Sequence, residues 1–209
     1  MSEKFYNIDE QRRWNEEYMW EQEGHEWSKV FGGTEKLWNK EIFPNIKEFR
    51  NKNILEIAPG RGRITQFLSV LASELVVVDL NKTCVEKTRE KLGEHVKEYI
   101  VNDGKTLTGV YNSSQDLVIS WDSFVHMHRN VIEDYIKEIA RVLKPGGKSF
   151  IHHSWFQQGS EYSTQNIAGR SNMNPELFTE IVEKYGMKTI KQFNIQFPEV
   201  LDTVTIFEK

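Results

Sequence analysis

From Asn53 onward, short runs of β-branched and aliphatic residues alternate with segments of helical period, and that alternation constrains the fold more than any other feature. The runs are Ile54 to Ile57, Leu75 to Asp79, Tyr99 to Asn102, Leu117 to Ser120 and Lys148 to His152. Ile64, Phe67, Leu68 and Leu71 form one helical stripe, and Ile132, Ile136, Ile139 and Leu143 another that must stop before Pro145. Asn174 as N-cap, Pro175 at the first helical position and Gly186 as stop mark a further helix. Two last runs, Lys188 to Phe197 and Thr203 to Phe207, leave no room for a crossover helix and must pair antiparallel. The expected fold class is therefore α/β: a doubly wound, mostly parallel sheet of seven strands with an antiparallel last strand.

The first 50 residues read as helical, amphipathic pieces without strands, starting with a helix capped by Asp9 and running to about Glu23. They divide the chain into an N-terminal helical cap, residues 1–50, and a main domain, residues 51–209. Four of the six tryptophans, Trp14, Trp20, Trp27 and Trp38, fall in the cap. Lys plus Arg number 27 against 31 for Asp plus Glu, a net charge of -4 with no basic stripe, so nucleic acid is not an expected partner. No apolar run approaches the roughly 20 residues of a membrane span, and Met1-Ser2-Glu3-Lys4 does not open a signal peptide. A single cysteine, Cys84, fits a reducing cytoplasm.

The first strand runs through Glu56 and Ala58 into Pro59-Gly60-Arg61-Gly62 and then a helix, placing a carboxylate beside a glycine turn at the edge where doubly wound sheets bind ligands. Glycines there let backbone approach a ligand closely. Asp79 ends the next strand 19 residues after Gly60, the spacing of an acid that accepts hydrogen bonds from a ribose diol. A plainer reading makes the glycines a tight turn and Asp79 a solvated strand end, but the two features occur together. An adenosine-containing ligand follows. A diphosphate-binding turn would have a third glycine where Thr65 stands, and Glu56 suits a cationic ligand better.

These residues resemble the class I S-adenosylmethionine-dependent methyltransferases, whose fold is Rossmann-like. Glu56-Ile57-Ala58-Pro59-Gly60-Arg61-Gly62 is similar to the family's first motif, with Ala58 where glycine is usual. Asp79-Leu80 matches the ribose motif, Asp103-Gly104 the adenine motif, Val118 to Ser123 with Trp121 the fourth-strand motif, and Arg141 to Gly147 the turn before strand five. The resemblance implies S-adenosyl-L-methionine as cofactor, contacted by Glu56, Ala58, Gly60, Gly62, Asp79, Leu80, Asp103, Gly104 and Trp121. More faintly, Leu55 to Gly60 and Ile151-His152-His153-Ser154 resemble a subgroup that modifies bacterial surface polysaccharides, which implies methylation of a sugar or glycan hydroxyl.

Such a reaction is an in-line displacement in which the protein aligns two partners and removes a proton. Candidate bases cluster after strands four and five: Asp122, His126, His152 and His153. Strand alternation points His152 and His153 to opposite faces, and His153, beside Ser154, is the expected base, with Asp122 as second base or orienting partner. His126 is the third candidate, or an aromatic lid on adenine. His128 and His25 are expected at the surface. No metal site is assigned, because Asp122, His126 and His153 lack a second carboxylate suited to magnesium.

Acceptor choice is expected from the cap and from the aperiodic insert Trp155 to Met173. Within them, Trp27 offers an aromatic face and Arg170 a partner for an acidic acceptor, or else a solvated charge. Trp14 and Tyr18 share a face suited to packing on the domain. Two rival functions are weighed: a nicotinamide-dependent oxidoreductase, disfavoured by Glu56 and the missing third glycine, and a noncatalytic cofactor-binding subunit.

Overall fold

The computed structural model describes residues 20–156, 170–198 and 200–209. Trp14, Tyr18, most of the expected first helix and most of the Trp155 to Met173 insert lie outside the described residues. Seven strands form one sheet: β1 (Asn53–Ile57), β2 (Glu74–Asp79), β3 (Glu98–Val101), β4 (Gln115–Ser120), β5 (Leu143–Ser154), β6 (Lys188–Gln196) and β7 (Leu201–Glu208). Their order is β3-β2-β1-β4-β5-β7-β6. The first five strands pair parallel, and β7 runs antiparallel between β5 and β6. The order reverses between β1 and β4, so the carboxyl ends of those two strands open the crevice in which doubly wound sheets bind ligands.

Before the sheet come α1 (Thr34–Leu37), a π-helical stretch (Trp38–Ile42) and α2 (Phe43–Ile46). The later helices are α3 (Thr65–Leu71), α4 (Lys82–Leu92), α5 (Arg129–Val142) and α6 (Pro175–Lys184). The Asn174 side chain accepts from Leu177 N–H at 2.8 Å and so caps α6 as its sequence predicts. Strand β5 begins five residues earlier than the Lys148 expected from the sequence and extends through Ser154. Its first part meets β4 with a register shift between Gln115 and Leu117, which accommodates Pro145-Gly146-Gly147 inside the strand.

Both faces of the sheet are buried, and strand alternation sorts the side chains between them. On one face Leu55, Val76, Val118, Ile151 and Phe207 pack with Ile132 and Ile136 of α5 and Phe178 of α6. The other face carries Ile54, Val77, Ile119, Trp121, Phe150 and Val204, covered by Leu68 of α3 and by Leu37, Trp38 and Ile42 of the N-terminal helices. The N-terminal helices thus share a face with Trp121 and Phe150. That placement determines which side chains at the ends of β4 and β5 can meet the N-terminal region.

Candidate functional site

The glycine turn is built from both sides. Ala58 N–H donates to Val78 O at 2.7 Å, Gly60 N–H to Asp79 Oδ2 at 3.2 Å and Asn81 N–H to Asp79 Oδ1 at 2.8 Å. Thr88 Oγ1 of α4 donates to Gly60 O at 2.8 Å, and a Cβ on Gly62 would stand 3.3 Å from Thr88 Cγ2. Gly62 therefore serves the packing of the turn on α4. Ala58 adopts φ 57°, the left-handed conformation that glycine takes most easily, although it carries a Cβ.

Two carboxyl groups lie under this turn with almost no solvent contact: Glu56 is 3% exposed and Asp79 5%. Burial pushes Glu56 up to about 8, with the neighbouring Asp79 adding to the effect and the nearby Thr65 and Arg63 opposing it. Burial likewise raises Asp79 to about 6, against hydrogen bonds from Asn81 and Gly60. Among the described residues, Glu56 Oε2 is buried without a hydrogen-bond partner. A buried acid with an open lone pair, next to a turn whose glycines spare it side-chain bulk, fits a ligand bringing positive charge and hydrogen-bond donors.

The other residues expected at the cofactor also have local contacts. Asp103 is exposed, and its Oδ1 accepts from Lys105 N–H at 2.9 Å and Thr106 N–H at 2.7 Å, closing the turn after β3. Gly104 is buried at φ 79° and donates to Asn102 Oδ1 at 3.1 Å. Leu80 is half-buried between Asp79 and Asn81. Trp121 is buried and stacks on His152, with ring centroids 4.2 Å apart.

Beside the turn lies a charge chain that sequence reasoning did not assemble. Arg63 pairs with Asp122, and its Nη1 donates to Ser28 Oγ at 2.7 Å. Thr34 Oγ1 donates to Ser28 Oγ at 3.1 Å and meets His25 Nδ1 at 2.7 Å, so the half-buried His25 is tied to this network. Across Asp122, His152 Nδ1 is 3.2 Å from Oδ1 and 3.2 Å from the backbone nitrogen. His152 Nε2 lies 3.4 Å from Asp202 Oδ2, a charge contact without hydrogen-bond geometry. Arg170 grips Asp202 from outside, Nη2 to Oδ2 at 2.7 Å and Nε to both oxygens at 3.1 Å. Burial opposes ionisation of Asp122, but Arg63 and His152 outweigh it and hold this carboxyl far below the usual range. A carboxylate held so firmly ionised is a weak proton acceptor.

His153, the expected base, points to the opposite face. Its ring stacks on Phe178 with centroids 4.1 Å apart, its Nε2 meets Thr205 Oγ1 at 2.7 Å, and burial depresses it to about 3. Because β5 continues to Ser154, His153 is an interior strand residue with the parity of Ile151, while His152 shares the parity of Phe150 and faces Asp122. His126 is half-buried in the turn Phe124–His126. His128, partly exposed, caps α5 by accepting from Asn130 N–H at 3.3 Å. His152 shares parity with Phe150, but which face meets Asp122 and Arg63 was not readable from the sequence.

The N-terminal segment closes over the turn. Trp20 packs on Gly60 so tightly that a Cβ there would lie 2.8 Å from Trp20 Cη2. Trp27 stands against Trp20 with ring centroids 4.8 Å apart. Arg61 lies 5.0 Å from the Trp20 ring centroid and pairs with Glu23 at 3.0 Å, while Arg63 lies 5.7 Å from that of Trp27.

Residues 54–147 match the model of a family described as a methyltransferase domain. Over 147 residues, 69% of the chain, the protein is 24% identical to phosphoethanolamine N-methyltransferase 1 of Triticum aestivum. It spans only 29% of that relative's length. It is 26% identical to a ubiquinone/menaquinone biosynthesis C-methyltransferase of Zymomonas mobilis over 74% of the chain and 61% of the relative. Among solved structures, an S-adenosylmethionine-dependent methyltransferase from Leishmania major superposes with a TM-score of 0.70 at 14% identity, over 98% of this chain and 86% of that one. No described helix is long and apolar enough to cross a membrane. A buried acid under a glycine turn, a second acid ending β2 and this strand order agree with these comparisons: residues 54–147 are similar to a methyltransferase domain, and the fold is that of an S-adenosylmethionine-dependent methyltransferase.

Proposed function

We propose that the chain catalyses transfer of a methyl group from S-adenosylmethionine to a small acceptor. The observation that carries this reading is the buried Glu56, whose Oε2 lacks a partner beneath the glycine turn. When bound, the cofactor supplies an electrophilic methyl on a positively charged sulfur. Glu56, Asp79, Gly60 and Gly62 would hold it, with Asp79 placed for ribose hydroxyls. The chain's own share of the reaction is chiefly alignment and exclusion of water: Trp20 and Trp27 cover the turn, and Arg63 ties that cover to Asp122.

For the acceptor we retain a hydroxyl of a sugar or glycan as the first candidate, on the faint motif resemblance around Ile151 to Ser154. The names of the relatives place nitrogen and carbon acceptors beside it. His152, not His153, is the histidine on the acceptor side, and Trp27 and Arg170 border that side at opposite ends of the charge chain. The test is calorimetric titration with S-adenosylmethionine and with NAD, followed by incubation with labelled S-adenosylmethionine and separate panels of sugars, amines and phenols, with and without a chelator. Saturable binding of S-adenosylmethionine and label on a sugar are expected. Binding of NAD alone would overturn the methyltransferase reading, label on an amine or ring carbon would overturn the sugar assignment, and binding without turnover on any panel would favour a noncatalytic subunit.

A further inference from the structure

One buried group is left without a task by the proposed reaction. His152 has no solvent exposure, yet it touches charged groups from two elements: Asp122 beyond the end of β4 and Asp202 on β7. Trp121 stacks on one side of its ring, and Phe197 lies 6.1 Å away by ring centroids. The other charged or titratable groups around it are Arg63, which holds Asp122, Arg170, which holds Asp202, and the adjacent His153. An imidazole enclosed in this way has no apolar packing task that phenylalanine would not fill at lower desolvation cost.

Nδ1 has two competing partners on one residue. The Asp122 N–H and the Asp122 carboxylate Oδ1 are each 3.2 Å away. A neutral imidazole protonated at Nε2 accepts from the N–H and turns its own N–H toward Asp202. An imidazolium instead donates from Nδ1 to Oδ1 and draws the carboxylate to itself. Asp122 meets this choice at φ 63°, a left-handed backbone rarely taken by a residue with a side chain and commonly found where a site is held under strain. Its side chain is 16% exposed, against 0% for Asp202.

We propose that His152 is a positioning residue for Asp122: the proton on its ring decides whether the Asp122 carboxylate is divided between Arg63 and the imidazole or left to Arg63 and a bound acceptor. The acceptor clause rests on the methyltransferase reading; the proton-dependent choice of partner does not. Burial opposes the imidazolium, while Asp122 and Asp202 favour it strongly enough that the balance lies above the ordinary histidine value. The shared state therefore persists to higher pH than an ordinary histidine would allow, and the released state lies on the alkaline side of that midpoint. Arg170 tempers the device, because each hydrogen bond it makes to Asp202 weakens that carboxylate's hold on His152.

The experiment is nitrogen-15 spectroscopy of the histidine rings in the full chain from pH 5 to 9, with the Asp122 carboxyl carbon followed in parallel and calorimetry with S-adenosylmethionine on the same samples. His152 is expected to pass from imidazolium to the Nε2–H tautomer, and the Asp122 carbon to move with the same midpoint. Asp202→Asn should lower that midpoint by about 1–3 units, the usual effect of losing an adjacent opposite charge. Arg170→Gln, which spares both acids, should raise it, so the proposal stays testable if Asp202→Asn fails to fold. A His152 ring that keeps one tautomer throughout, or a midpoint unmoved in Arg170→Gln and unseen at the Asp122 carbon, would overturn it. Failure to bind S-adenosylmethionine with the His152 response intact would instead strike the methyltransferase reading alone.

Discussion

Glu56 carries the most chemistry per atom in this fold. In an unfolded chain it ionises near 4.5, and burial under the glycine turn moves that to about 8. The folded protein therefore retains a proton that the unfolded chain gives up, so this residue's contribution to stability is present at low pH and is lost as pH rises toward 8. A ligand that brings positive charge to Glu56 expels the proton. Calorimetry with S-adenosylmethionine in buffers of different ionisation enthalpy should thus show proton release, with affinity rising by up to about tenfold per pH unit between pH 6 and 8. Glu56→Gln should abolish both effects. Ala58 offers a second test, because its left-handed backbone at φ 57° strains a residue with a Cβ. Ala58→Gly should stabilise the protein by about 1 kcal/mol, a rise of about 2–4 °C in melting temperature by calorimetry.

Between elements, the N-terminal segment packs closely on the turn joining β1 to α3. Trp20 occupies the space a Gly60 side chain would need, at 2.8 Å from the added Cβ. Gly60→Ala should therefore displace the indole, and Trp20→Ala should make that substitution less costly. A double-mutant cycle by thermal denaturation should return a coupling of about 0.5–3 kcal/mol, whereas additive effects would show that the two do not depend on each other. Element order, the capped helix after Asn174 and the antiparallel final pair were legible, since each depends on local period or a local cap. The start of β5 was not, because Leu143 enters the sheet through pairing with Gln115, a contact no local pattern encodes.

Across the whole molecule, the raised acids and the raised histidine act in the same direction. Glu56, Asp79 and His152 each bind their proton more tightly when folded, whereas His153 binds its proton less tightly and opposes them up to the ordinary histidine value of 6.5, so stability without ligand should decline most clearly from pH 6.5 to 8. Asp122 and Asp202, lowered against their burial by Arg63, His152 and Arg170, are ionised throughout that window and add no slope. Saturating S-adenosylmethionine should accordingly raise the melting temperature more at pH 8 than at pH 6, measured by differential scanning fluorimetry; an equal shift at both would remove the link between Glu56 and the cofactor. Local sequence was enough to establish the doubly wound sheet, the glycine turn and the pairing of Glu56 with Asp79, because these follow from period, glycine placement and fixed spacing along adjacent elements. It could not choose between His152 and His153. Both faces of such a sheet are buried, so hydropathy marks neither side for a polar residue, and the choice fell to long-range packing: the N-terminal helices cover the face of Phe150, and Arg63, Asp122 and Asp202 arrive there from three separate parts of the chain.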